Sequence, residues 1–107
     1  MFRRINKYHN KITYIDGIRF MSQREGKRYL ELKALERGGI IRNLELQPRF
    51  PIKVNDTKIC TYVADFRYID VAKGETVIED VKGVLTAVYR LKKKLVQAVL
   101  GLEIQEV

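Results

Sequence analysis

The chain has a single cysteine, a single histidine, no tryptophan and only two prolines. Lone Cys60 leaves no partner for an internal disulfide and suits a reducing cytosol. With His9 as the one imidazole, His-rich zinc sites are excluded and a Ser–His triad has little support. Any metal held here would be oxygen-bound. No apolar run approaches the ~18–20 residues of a membrane span, and no signal-peptide pattern opens the chain. A long basic amphipathic segment with Trp or Phe anchors, as used at membrane surfaces, is also missing. The expectation is one cytoplasmic domain over residues 1–107, large enough for a modest core and without a membrane partner.

What the chain has in excess is positive charge. Twenty-one Lys and Arg against 13 Asp and Glu leave +8, which favours a polyanionic partner, nucleic acid first. The opening stretch Met1–Asn10 reads as a basic N-terminal arm in which Arg3, Arg4 and Lys7 could reach a phosphate backbone. The same residues could equally solvate a frayed terminus.

Beyond the arm, Ile12–Tyr14 and Ile18–Phe20 flank Ile15-Asp16-Gly17, a hairpin signal. Ser22 with Glu25 three residues later matches a capping box, and Tyr29, Leu30, Leu32, Ala34 and Leu35 follow helical spacing up to Gly38-Gly39. Residues 40–54 read as a first sheet strand in which Pro48 and Pro51 forbid a continuous central strand beyond Gln47. Asn55–Lys58 is a polar turn. Thr61–Ile69 and Thr76–Val81 read as strands joined by a turn at Asp70–Glu75. A second helix is expected over residues 86–100, with Val88, Leu91, Leu95, Ala98 and Val99 as its buried stripe and Gly101 as its stop. Leu102–Val107 alternates as a last strand. Arg90, Lys92, Lys93 and Lys94 fill much of the second helix's remaining surface; this is either a solvated face or a grip on phosphates, with Tyr89 and Lys93 best spaced for the latter.

The chemistry concentrates between Thr61 and Gly83. Strand alternation puts Asp80 and Lys82 on one face, and a hairpin can set Asp65 opposite them. Two adjacent carboxylates repel, and Asp is a poor strand former. A hard divalent cation such as Mg²⁺ removes the conflict, and a neighbouring lysine can orient water or neutralise charge on a phosphate. An exposed hairpin with an Asp80–Lys82 surface pair accounts for the same residues without chemistry. Glu25 likewise has two readings, as the capping-box carboxylate or as a third acidic residue aimed at the strands, whereas Glu31 faces away from it.

An Asp on one strand followed by Asp-X-Lys on the next resembles the PD-(D/E)XK nuclease superfamily, with Asp65, Asp80 and Lys82 in its three positions and Ala64 where that motif has proline. Linked segments narrow the likeness: F-x-S-x-x-E-x-x-x-Y-L-E-L, L-E-L-Q-P-x-F, Y-V-A-D-F-R-Y, E-D-V-K-G and V-Y-R-L-K-K-K-L are similar to a family of small phage-encoded proteins, DUF1064, grouped with those nucleases. The resemblance implies an α/β fold of restriction-endonuclease-like type, an α-β-β-β-α-β core whose mixed central sheet is flanked by two helices, here preceded by a β-hairpin. It implies a Mg²⁺-dependent endonuclease (Mn²⁺ substituting) acting on double-stranded or branched DNA in a phage-infected cell. Asp65, Asp80, the Val81 carbonyl and Glu25 would hold the metal, and Lys82 would serve the attacking water. Related small folds cut Holliday junctions as dimers, so a homodimer is also implied. Two alternatives are a non-catalytic nucleic-acid-binding protein on the same scaffold and a phage protein-interaction module.

Overall fold

The computed structural model describes residues 11–81 and 86–107. Two expectations therefore lie outside the described residues: the arm cations Arg3, Arg4 and Lys7, and the motif lysine Lys82.

The chain begins with the hairpin β1 (Thr13–Ile15) and β2 (Ile18–Phe20), turned by Asp16 and Gly17. Both turn residues have positive φ, 53° and 74°, as a two-residue turn matched to strand twist demands. Helix α1 (Gln23–Arg37) follows, and the Ser22 hydroxyl accepts the Glu25 amide at 3.1 Å. The helix lies against the hairpin through Gly26, where an added Cβ would come within 2.9 Å of the Ile15 side chain. Phe20 and Tyr29 stack at 5.0 Å, and the Tyr29 hydroxyl donates to Asp16.

Six further strands follow: β3 (Ile41–Leu46), β4 (Arg49–Val54), β5 (Thr57–Val63), β6 (Phe66–Asp70), β7 (Glu75–Asp80) and β8 (Ile104–Glu106). The central sheet runs β3-β6-β7-β8. Its first three strands are antiparallel, and β8 returns parallel to β7 after helix α2 (Ala87–Leu95) and a π-helical segment, Val96–Leu100. The sheet is thus mixed and carries a helix on each side. Around it the chain order is α-β-β-β-α-β, interrupted by a two-stranded ribbon of β4 and β5.

Two apolar cores lie on opposite faces of the sheet. Phe20, Tyr29, Leu32, Ile41, Phe66 and Tyr68 join α1 and the hairpin to one face. On the other, Phe50, Ile52 and Tyr62 of the ribbon pack with Ile78, Val96 and Ile104. No helix among the described residues is long and apolar enough to cross a membrane.

Three expectations need correction. Residues 40–54 form two strands and not one, broken by a kink at Gln47 (φ 51°) and Pro48, the point beyond which the prolines ruled out a continuous central strand. Pro51 then sits within β4, which a two-stranded ribbon permits because each strand keeps an unpaired edge where a missing N–H costs little. Thr61–Ile69 is likewise divided, at Ala64-Asp65, so its first part belongs to the ribbon and its second to the sheet. Finally, most of the stripe assigned to the second helix is exposed. Val88 and Leu91 are 62% and 59% exposed, Ala98 and Val99 are exposed as well, and of the five only Leu95 packs against the core, beside Tyr89 and the fully buried Val96. Helical spacing identified a coherent stripe but could not say which side the sheet covers.

One irregularity has a clear cause. Strand β3 bulges between Arg42 and Glu45, with Asn43 at φ 56°, and the Leu44 amide that leaves the ladder donates to the Glu36 carboxylate of α1 at 3.0 Å. That bond and the nearby Lys33 ammonium hold the Glu36 carboxyl below its ordinary pKa.

Candidate functional site

The site forms where the ribbon leaves the central sheet. In the β6–β7 ladder Phe66 pairs with Glu79, so Asp65, one residue earlier, stands opposite Asp80. The Asp65 amide donates to the Glu79 carbonyl at 3.1 Å and to Asp80 Oδ1 at 3.2 Å. In return Asp65 Oδ2 accepts the Val81 amide at 2.7 Å. Each aspartate is thus positioned by the backbone of the other's strand. Asp80 is fully buried, and its carbonyl accepts the Val107 amide at 2.9 Å, which ties β7 to the end of the chain.

The base of the ribbon fixes the same corner. The Gln47 amide donates to the Asp65 carbonyl at 2.9 Å, and the Ala64 amide to the Pro48 carbonyl at 3.1 Å. Ala64 is fully buried. A proline there would forfeit that bond, which explains why this chain carries alanine before its aspartate.

Glu25, on the first turn of α1, lines a cavity of about 120 Å³ together with Asp65, Gln47, Phe20 and Phe66. The expected third carboxylate therefore shares a wall with the first. Capping and proximity to Asp65 are compatible, because the cap uses the Glu25 main-chain amide. Among the described residues no set of three or more His, Cys, Asp or Glu side chains is grouped to hold a metal ion. The donors at hand are an all-oxygen set of two interlocked aspartates, which matches a hard cation in type. A full shell would draw on Glu25, the Val81 carbonyl and water.

Of the basic and aromatic residues assigned to the second helix, two have structural partners. Tyr89 turns inward, packs against Tyr62 at 6.4 Å and lies in the field of the acidic site. Burial first, then the charges of Asp80, Glu106 and Asp65, push its phenol well above the ordinary tyrosine range, so it is a neutral O–H at neutral pH. Lys93 pairs with Glu106 of β8. Arg90 and Lys94 border an open surface hollow with Ala87 and Leu91. Lys92 is half-buried.

A second polar cluster was not foreseen. Glu79, 1% exposed on the α1 side of β7, receives Arg28 Nε at 2.8 Å and Nη2 at 2.7 Å, and the Tyr68 hydroxyl as well. Arg28 Nη1 also reaches Glu31 at 2.9 Å. The hydrogen bond to Glu79 keeps the guanidinium firmly charged, while burial and Glu79 push the Tyr68 phenol up. The signal was present: alternation puts Glu79 on the face of Val77 and Val81, and a carboxylate between two valines needs a buried cation.

A family model described as a protein of unknown function, DUF1064, matches residues 5–102. The chain belongs to the DUF1064 family. No curated protein and no solved structure matches it. The match spans both helices, the ribbon and the whole Asp65–Asp80 corner, so this DUF1064 chain carries its acidic pair within the family's own region and not in an appended segment.

Proposed function

We propose that this DUF1064 protein is a Mg²⁺-dependent endonuclease of restriction-endonuclease-like, PD-(D/E)XK type, phage-encoded and acting on DNA in the host cytoplasm. The observation that carries the reading is the corner itself. Two aspartates on adjoining strands are locked by reciprocal main-chain hydrogen bonds, with Glu25 on the cavity wall that Asp65 lines. This concentration of negative charge sits in a chain whose net charge is +8. A cation site embedded in a surface that attracts polyanions is the electrostatic arrangement phosphodiester hydrolysis calls for.

In this reading Asp65 and Asp80 are the principal metal ligands, with Glu25 and the Val81 carbonyl as further donors. When bound, the divalent cation would neutralise charge at the scissile phosphate and acidify water. Main-chain bonds hold both carboxylates in place before substrate arrives, so little reorganisation is needed. Tyr89, a neutral O–H beside Asp80, keeps bulk water from that side of the pair. Lys82, two residues after Asp80, orients the attacking water or takes its proton. Arg3, Arg4, Lys7, Arg90, Lys92 and Lys94 supply sequence-independent phosphate contacts. A Holliday-junction-resolvase-like role, with a homodimer cutting two strands, is the substrate class we favour.

The test is cleavage of labelled four-way junction, flap, linear duplex and single-stranded DNA with Mg²⁺, Mn²⁺ or EDTA. Metal-dependent cutting is expected, lost in both Asp80→Asn and Lys82→Ala while their folds persist. A wild-type rate in either variant would refute the site. The second reading, a DNA-binding protein that does not cut, predicts salt-sensitive DNA binding with no cleavage under any metal.

A further inference from the structure

The β4–β5 ribbon grows directly out of the acidic corner. Its base is held by the Gln47–Asp65 and Ala64–Pro48 backbone bonds, and from there it runs outside the central sheet. Its inner face is spoken for: Phe50, Ile52 and Tyr62 enter the core, and the Arg67 guanidinium lies 5.4 Å over the Phe50 ring. The register places the other positions together on the outer face, with Arg49 opposite Val63, Pro51 opposite Thr61, and Lys53 opposite Lys58. Arg49, Lys53 and Lys58 are all exposed, and none forms an ion pair among the described residues. Lys53 and Lys58 face each other directly, a pairing that costs stability unless an anion comes between them. The ribbon's single acidic residue, Asp56, is in the turn at its far end.

We propose that the outer face of this ribbon is a docking surface for the phosphate backbone of duplex DNA, extending the binding track away from the site of cleavage. This rests on the endonuclease reading. At ~3.4 Å per strand residue, the lysine pair lies roughly 17 Å along the ribbon from its base. That is about half a helical turn of B-DNA, whose repeat is ~34 Å, so the ribbon and the acidic corner engage phosphates on one stretch of duplex.

The experiment is a fluorescence-anisotropy titration of a labelled DNA duplex, in EDTA, across a series of salt concentrations. It compares wild type, the triple variant Arg49→Ala/Lys53→Ala/Lys58→Ala, and Lys53→Glu. The triple variant is expected to bind roughly tenfold or more weakly and to lower the salt slope by about 2–3, close to one per lost phosphate contact. Its metal-dependent hydrolysis of a small activated phosphodiester, too short to reach the ribbon, should stay at the wild-type rate. Lys53→Glu should raise the melting temperature, by facing Lys58 with an opposite charge, and weaken DNA binding at once. A folding defect cannot produce that pair of changes. If wild type binds duplex with a steep salt dependence and both variants match it, the ribbon is not the docking surface and the endonuclease reading stands. Its lysines would then serve only to deter strand pairing at an open edge. If wild type itself neither binds nor cuts DNA, both readings fall.

Discussion

Replacing Arg28 by methionine should unfold this protein well below its normal melting temperature. The guanidinium provides two hydrogen bonds to Glu79, which is 1% exposed, while Arg28's own side chain is 23% exposed. Methionine keeps the aliphatic packing but leaves a carboxylate in the apolar layer between α1 and the sheet. Breaking a buried pair in this way costs about 3–5 kcal/mol. The Tyr68 hydroxyl still reaches Glu79, which argues for the lower end, about 3 kcal/mol. At ~4–8 °C per kcal/mol for a chain near this size, the midpoint falls by roughly 12–24 °C.

Calorimetric melts at neutral pH read out the cost, and a second substitution separates the stranded charge from the lost packing. The double variant Arg28→Met/Glu79→Gln removes the charge and should recover part of the loss at neutral pH. A single variant melting within about 3 °C of wild type would show that Arg28 contributes no more than a surface pair, whose worth is ~0–1 kcal/mol.

Three further outcomes are expected. Asp80→Asn should abolish metal-dependent cleavage of labelled DNA while its circular dichroism stays that of wild type, since its side-chain oxygen can still accept the Asp65 amide; a wild-type cleavage rate would contradict this. Glu36, whose carboxyl is held low chiefly by the Leu44 amide, contributes stability above the ordinary carboxylate pKa near ~4.3 that fades as pH falls through its folded value, so Glu36→Gln should flatten the acid limb of a pH–stability curve. On the second helix, Leu91→Gln should change stability by no more than about 0.5 kcal/mol, whereas Val96→Ala should cost about 1–3 kcal/mol, as urea titrations of the two variants would read out.

Local signals carried far into this fold where one short-range interaction decides the outcome. Asp16-Gly17 specified its turn, Ser22 its helix start and Gly101 its helix stop, the last with φ 66°. Alternation placed Asp65 opposite Asp80 correctly, because both lie next to a ladder whose register is set by the apolar face. What stayed hidden depends on elements distant in sequence. Arg28 and Glu79 are 51 residues apart, and neither predicts the other until α1 is laid on β7. The division at Ala64-Asp65 has no breaker residue of its own; it stands opposite the kink at Gln47 and Pro48 in the chain it pairs with. The buried side of α2 is hidden for a similar reason. Val88, Leu91 and Leu95 form the more apolar stripe, but the sheet and ribbon cover the side bearing Tyr89 and Leu95, next to Val96, and leave Val88 and Leu91 exposed.

Strand β7 sets two carboxylates side by side and buries both, Glu79 at 1% and Asp80 at 0% exposure, on opposite faces of the sheet. Glu79 faces α1, where a guanidinium and a phenol neutralise and orient it; the cluster pins the helix that bears Glu25 to the strand that bears Asp80. Asp80 faces the other core, beside Ile78, Val96 and Ile104, where an aliphatic residue would pack at no electrostatic cost. Instead it accepts the Asp65 amide, and together with Glu106 and Asp65 its charge helps to raise the Tyr89 phenol. The Arg28–Glu79 clamp and the Asp65–Asp80 pair lie on opposite faces of one strand, so if the proposed endonuclease function holds, the clamp fixes the strand and helix that carry the metal ligands.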